Sequence, residues 1–237
     1  MNPIFRFKEF EVAQDRCAMK IGTDAVLLGA WASIDHQPSS ILDVGTGTGV
    51  IALQLAQRSD AELIDAVEIE ANAHHQAVEN FENSIWADRL FCYHASLNDF
   101  ADQMDEKYDL IISNPPFFSN AYASENPQRN TARLTTALSF EELLGAVGKL
   151  LSEDGQFAVI IPFDQEEDFI NIAFKKNLFP RRITRVKGSP NSIIKRSLIE
   201  FSFQEKPVEM DELIIEVARH VYTPEYTELV KAFYLKM

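Results

Sequence analysis

The chain has 237 residues, 46% of them hydrophobic, and a formal net charge of −14. That length suits one doubly wound domain over 1–237 with one sizeable core, and two cysteines, Cys17 and Cys92, exclude a disulfide framework. No stretch approaches the ~18 apolar residues of a membrane helix, and Met1–Glu9 has no signal-peptide run, so a soluble cytoplasmic protein without a membrane partner is expected.

Residues 4–20 alternate apolar and polar in places, as in Phe5-Arg6-Phe7-Lys8, and predict a small hairpin. Thr23 or Asp24 is placed to cap a helix reaching about Ser33. Pro38-Ser39-Ser40 then breaks the chain before the first sheet strand. Strands are predicted near 40–45, 63–68, 90–95, 108–113, 156–161, 179–187 and 197–205, and helices near 50–58, 71–84, 139–151 and 165–176. This alternation predicts a parallel, doubly wound α/β sheet. The last two strands lack a helix between them, so they are expected to pair antiparallel. The parts are an N-terminal extension over 1–38, a core over 39–206 and a C-terminal tail over 207–237, with a short strand and a helix after Pro224.

Within the first strand and its turn, Ile41-Leu42 leads into Asp43-Val44-Gly45-Thr46-Gly47-Thr48-Gly49. Three alternating glycines allow a tight turn and close approach of a ligand to the backbone. The spacing is not that of the dinucleotide fingerprint. Glu68 ends the second strand, where a carboxylate can accept from the two hydroxyls of a ribose. His74 and His75 sit on the next helix with no Cys or acid at ligand spacing, so no metal is expected. Cys17 and Cys92 read as packing residues, and Trp31 and Trp86 as core or helix-packing aromatics.

Tyr108-Asp109-Leu110-Ile111-Ile112-Ser113 reads as a buried parallel strand, and Asn114-Pro115-Pro116-Phe117 follows at its carboxyl end. Open α/β sheets bind ligands at that end. The Asn114 side-chain oxygen and the Pro115 carbonyl can both accept from one planar NH₂ group and aim its lone pair. The prolines fix that geometry in advance, and Phe117 offers a face for a heterocycle. A strand followed by a Pro-rich turn is the alternative. Residues 118–138 lack periodicity and read as a substrate lid, in which Arg129 and Arg133 could meet phosphates.

From Lys175 to Arg196 there are eight basic residues and no acidic ones, among them Arg181, Arg182, Arg185 and Lys187. Such a segment could track a phosphate backbone while the acidic remainder discourages nonspecific binding. A solvated basic surface is the alternative.

Together, Asp43–Gly49, the Glu68 strand end and Asn114–Phe117 resemble the class I S-adenosylmethionine-dependent methyltransferases that modify amino nitrogens. Met19-Lys20-Ile21-Gly22-Thr23-Asp24-Ala25-Val26-Leu27-Leu28-Gly29-Ala30-Trp31-Ala32 is similar to the amino-terminal signature of the bacterial valine-tRNA adenine-37 N6-methyltransferases. Ala132-Arg133, Leu138-Ser139-Phe140-Glu141-Glu142-Leu143-Leu144 and Phe233-Tyr234-Leu235 resemble the same family. The resemblance spans nearly the whole chain. It implies a Rossmann-like seven-stranded sheet with its last strand antiparallel, S-adenosylmethionine as cofactor, and adenine N6 in tRNA as substrate. Asn114, Pro115 and Phe117 would be catalytic. Asp43, Gly45, Gly47, Gly49 and Glu68 would hold the cofactor, with Asp43 at its methionine end. Ser96 stands where many relatives carry an acid that bonds the cofactor's adenine amine, so a weaker acceptor is expected there. Arg133-Leu134-Thr135-Thr136 replaces a common Arg-His-Thr-Asp.

Other targets present the same NH₂ group: a ribosomal RNA base or a protein glutamine. Enzymes of the latter kind usually add a helical domain ahead of the core, and only residues 1–38 precede it here. A cofactor-binding scaffold without turnover is the non-enzyme alternative. A monomer is favoured.

Overall fold

The computed structural model describes residues 4–115 and 138–237. The chain opens with the hairpin β1 (Ile4–Arg6) and β2 (Glu11–Ala13), then α1 (Thr23–Trp31). The core follows as β3 (Ser40–Val44), α2 (Val50–Arg58), β4 (Leu63–Glu68), α3 (Ala71–Glu82), β5 (Leu90–His94), α4 (Leu97–Gln103) and β6 (Tyr108–Ser113). Beyond the undescribed segment come α5 (Phe140–Leu150), β7 (Leu151–Pro162), α6 (Glu166–Phe174), β8 (Phe179–Lys187) and β9 (Ile194–Ser202). The tail holds β10 (Glu209–Ile214), the hairpin β11 (Glu216–Ala218) and β12 (Val221–Tyr222), and α7 (Pro224–Val230).

One sheet has the order β10-β8-β9-β7-β6-β3-β4-β5. Its core matches the expected seven strands, with β9 antiparallel to both β7 and β8. The tail adds an eighth, β10, parallel to β8. The central strands read as continuous apolar runs because both faces are covered. In β7, Ala158 and Ile160 face the layer of α1, α2 and α7, while Phe157, Val159 and Ile161 face that of α4, α5 and α6.

Local chemistry sets the ends. Ser139 and Glu142 form a reciprocal capping box that starts α5. Gly22, not Thr23 or Asp24, is the N-cap of α1, and Asp24 is instead drawn to Arg196 at 2.7 Å. Helix α4 escaped the sequence reading because it is one short amphipathic turn pair, fixed by Leu97, Phe100 and Ala101 against the sheet. β7 begins at Leu151, directly after α5, rather than near 156.

Candidate active site

The predicted cofactor and catalytic residues converge on the carboxyl edge of β3, β4 and β6. Val44 pairs with Val67 on one side and Ser113 on the other, so Gly45, Glu68 and Asn114 leave adjacent strands at one level. Gly45, Gly47 and Gly49 all have positive φ, at 71°, 59° and 81°. Only glycine takes such angles without strain. A Cβ on Gly49 would lie 2.5 Å from Phe81, whereas Gly45 and Gly47 face open space. The loop thus keeps a cradle of bare backbone above the sheet.

Glu68 is buried at 8% exposure. Its Oε2 accepts from Gly47 N–H at 2.9 Å and its Oε1 from Glu70 N–H at 2.8 Å. Each oxygen retains a lone pair for a ligand hydroxyl. Asp43 is 1% exposed; Thr46 Oγ1 donates to its Oδ2 at 2.5 Å, and its Oδ1 has no partner. Burial pushes its carboxyl up to about 7, partly opposed by the Thr46 bond. An orphaned buried carboxylate oxygen needs an explanation, and a cationic ligand in the cradle is a sufficient one.

Ser96 stands at the end of β5 with a partner of its own. It is the N-cap of α4: its hydroxyl accepts from Asp99 N–H at 3.1 Å and donates to Asp99 Oδ2 at 2.6 Å. The acid at this strand end is therefore Asp99, three residues on, which the sequence reading passed over. Ile69, 45% exposed beside Glu68, supplies an apolar surface that was also missed.

Asn80 is the strongest omission. From the last turn of α3 its Oδ1 accepts from Ala13 N–H at 2.9 Å, and its Nδ2 donates to Ala13 O at 2.9 Å and Thr48 O at 2.8 Å. It ties the N-terminal extension to the glycine loop. A buried Asn inside a helix, where it is a poor helix former, was the available signal. The extension also brings Cys17 under the same roof, where burial and then the Glu68 charge raise its thiol to about 11. Cys92 is raised to about 12, again first by burial.

Asn114 is half-buried at the end of β6 and Pro115 is buried; Phe117, Arg129 and Arg133 lie outside the described residues. His74 stacks on His94 at 5.1 Å and approaches the Cys92 carbonyl, and no metal-binding cluster occurs among the described residues.

The basic segment does not form one surface. β8 runs parallel to β7, with Arg182 level with Ile112, two residues short of Asn114, and Lys187 at the strand's far end beyond the Asn114 level. Arg182 stacks 3.9 Å over Trp31 and donates to Glu200 at 3.0 Å and to the Trp31 carbonyl at 2.7 Å. Arg185 donates to Glu166 at 2.6 Å and Lys187 pairs with Glu212 at 2.8 Å. Three of the four cations expected to meet phosphate are thus held by the protein's own carboxylates. Sequence alone could not reveal this, because the acids come from β9, β10 and α6.

A family model described as methyltransferase small domain matches residues 20–176. A tRNA1(Val) (adenine(37)-N6)-methyltransferase of Christiangramia forsetii is 60% identical over 238 residues, covering 100% of this chain and 99% of that one. The protein of the same description in Flavobacterium johnsoniae is 57% identical, over 99% of this chain and all of its own. Among solved structures, one described as a predicted O-methyltransferase from Agrobacterium tumefaciens superposes with a TM-score of 0.68 at 20% identity, covering 89% of this chain and 96% of that one. It shares the fold.

Proposed function

This chain belongs to the methyltransferase small domain family and, within it, groups with the tRNA1(Val) (adenine(37)-N6)-methyltransferases; from that premise we propose that it methylates N6 of an adenine at anticodon-loop position 37 of valine tRNA, in the cytoplasm. The observation that carries the reading is the joint placement of the open glycine cradle, the orphaned Asp43 oxygen and Asn114 on adjacent strand ends.

S-adenosylmethionine is the cofactor, and it brings a methyl group already activated on a sulfonium. The residues present fit it. Gly45 and Gly47 leave room for it against the backbone, Glu68 accepts from ribose hydroxyls, and Asp43 faces its cationic methionine end. Ile69 packs against its flat base. No nucleophilic side chain is needed. The work of this chain is to hold the amine in line at near-attack distance. Asn114 Oδ1 and the Pro115 carbonyl accept the two amine N–H bonds, which turns the nitrogen lone pair toward the methyl group. An anticodon loop suits this site because its bases can be splayed out of the stack.

The test is transfer of labelled methyl to tRNA from cells lacking the gene, followed by nucleoside analysis. N6-methyladenosine confined to valine tRNA is expected. Label in ribosomal RNA or in protein glutamine, with none in tRNA, would overturn the reading.

A further inference from the structure

The sheet register carries the β8–β9 turn beyond the level of Asn114, and that rim holds cations in no ion pair among the described residues. Pro162 of β7 pairs with Arg196 of β9, and Lys187 of β8 with Ile194. Lys195 therefore stands at the edge that carries Asn114. Strands are ~4.8 Å apart and rise ~3.3 Å per residue, which puts Lys195 roughly 15 Å from Asn114.

The tail extends this edge. Ile215 N–H donates to the Lys187 carbonyl and Glu216 N–H to the Gly188 carbonyl, both at 3.0 Å. The β11–β12 hairpin thus stands beyond the end of β8, beside the 188–193 turn. At its tip are Arg219 and His220, the latter in the left-handed region at φ 64°, as a tight turn requires. Arg219 is four residues beyond Ile215, past the end of β8, and so farther from Asn114 than Lys195 is.

Two nearby acids are engaged: Glu212 holds Lys187 at 2.8 Å and Asp24 holds Arg196 at 2.7 Å. Lys195 and Arg219 are both exposed and make no ion pair among the described residues. In a chain of net charge −14, two exposed cations outside any ion pair give this rim contacts for a polyanion.

Resting on the reading of an RNA adenine as substrate, we propose that the rim of the β8–β9 turn and the β11–β12 hairpin is the docking surface for the RNA phosphate backbone, with Lys195 and Arg219 as its phosphate contacts. The spacing favours an extended polyanion. A single phosphate near Asn114 could reach Lys195 but not Arg219, whereas a stem-loop with its target base at Asn114 can run along both.

The experiment compares Lys195→Glu/Arg219→Glu with wild type, and with Lys206→Glu, an exposed cation beyond the opposite end of β9. Binding of unmodified tRNA is measured across a salt series, with S-adenosylmethionine affinity measured separately. The double variant should bind tRNA at least tenfold more weakly at low salt. Its log–log salt slope should flatten by about 1.4–1.8, since each lost phosphate contact removes 0.7–0.9. Cofactor affinity should stay unchanged, and Lys206→Glu should match wild type. An unchanged tRNA affinity and slope in the double variant overturns the rim, as does equal weakening by Lys206→Glu. If wild type methylates tRNA in the same assay, that failure is the rim's alone. A wild type that transfers no methyl to tRNA overturns the substrate reading and the rim with it.

Discussion

Two buried carboxylates in one row of the sheet show how differently the same group can be used. Glu200, 5% exposed, stands three strands from Asp43 in the register, and Arg182 and the Ser33 N–H both bond its Oε1. Asp43, 1% exposed, meets the glycine loop with the Thr46 hydroxyl bond, the Ala52 backbone N–H nearby and no cation. A buried charge left unpaired costs several kcal/mol unless it takes up a proton or a partner arrives. The paired group belongs to the architecture, and the unpaired one is, on the proposed reading, the group that meets a ligand. Asp65 also has an orphaned Oδ1, but it lies mid-strand and its Oδ2 takes the Tyr108 hydroxyl at 2.6 Å. Position at a strand's carboxyl end is the discriminating feature.

The largest expected effect breaks the paired side. Glu200→Ala strands Arg182 against Trp31 and removes the acceptor of Ser33 N–H. Stability should fall by about 3 kcal/mol, the low end for a broken buried pair because Arg182 is partly exposed. Urea unfolding measures this, and cofactor affinity of the folded fraction should not move. A loss below about 0.5 kcal/mol, the scale of surface substitutions, would place Glu200 with the solvated acids.

At the strand end after β6 the loss should be chemical. On the proposed reading Asn114→Ala removes one acceptor of the target amine, and it leaves the turn's prolines in place. Single-turnover methyl transfer at saturating tRNA and cofactor should slow by at least ~10²-fold, with tRNA affinity little changed because phosphate contacts dominate it. Transfer near the wild-type rate would remove Asn114 from the reaction.

This asymmetry also explains which parts were legible in the sequence. The glycine loop, Glu68 and Asn114 are local signals: each is a residue type at a strand end, and strand ends can be read from apolar runs. The strand–helix alternation was legible for the same reason. What was not legible was non-local. Whether Arg182 is free depends on Glu200, 18 positions on in sequence but directly opposite in the β8–β9 register. Asn80 bridges Ala13 and Thr48, contacts of separation 67 and 32, and only its oddity inside a helix hinted at this.

Glu68 tests the cofactor side of the contrast at smaller scale. Glu68→Ala removes the acceptor of the Gly47 and Glu70 N–H groups and, on the proposed reading, of the ribose hydroxyls. Affinity for S-adenosylmethionine should drop by about 1.5–3 kcal/mol, the range for hydrogen bonds to charged groups. Calorimetry on the folded variant is decisive, because unchanged affinity would show that Glu68 serves only to close the loop.

The mildest and most specific test uses protons. Burial holds the Asp43 carboxyl at about 7 in the folded chain, against 3.8 for an ordinary aspartate. Between those values the folded state carries a proton that the unfolded state has lost. This group's contribution to stability is therefore full below about pH 4, declines as pH rises toward 7, and is gone above it. Cofactor affinity should run the other way. Protonated Asp43 offers no charge to a cationic ligand, so binding should tighten from pH 5.5 to 7.5, by up to about tenfold per unit below 7. In Asp43→Asn the fall in ligand-free stability over that range should shrink, and the pH dependence of binding should flatten. Opposite slopes for stability and affinity, both lost in one variant, are what a carboxylate kept for a cation requires. If Asp43→Asn keeps the wild-type binding profile, the methionine end of the cofactor is held by other groups, and the orphaned oxygen is a cost of the fold rather than part of the site.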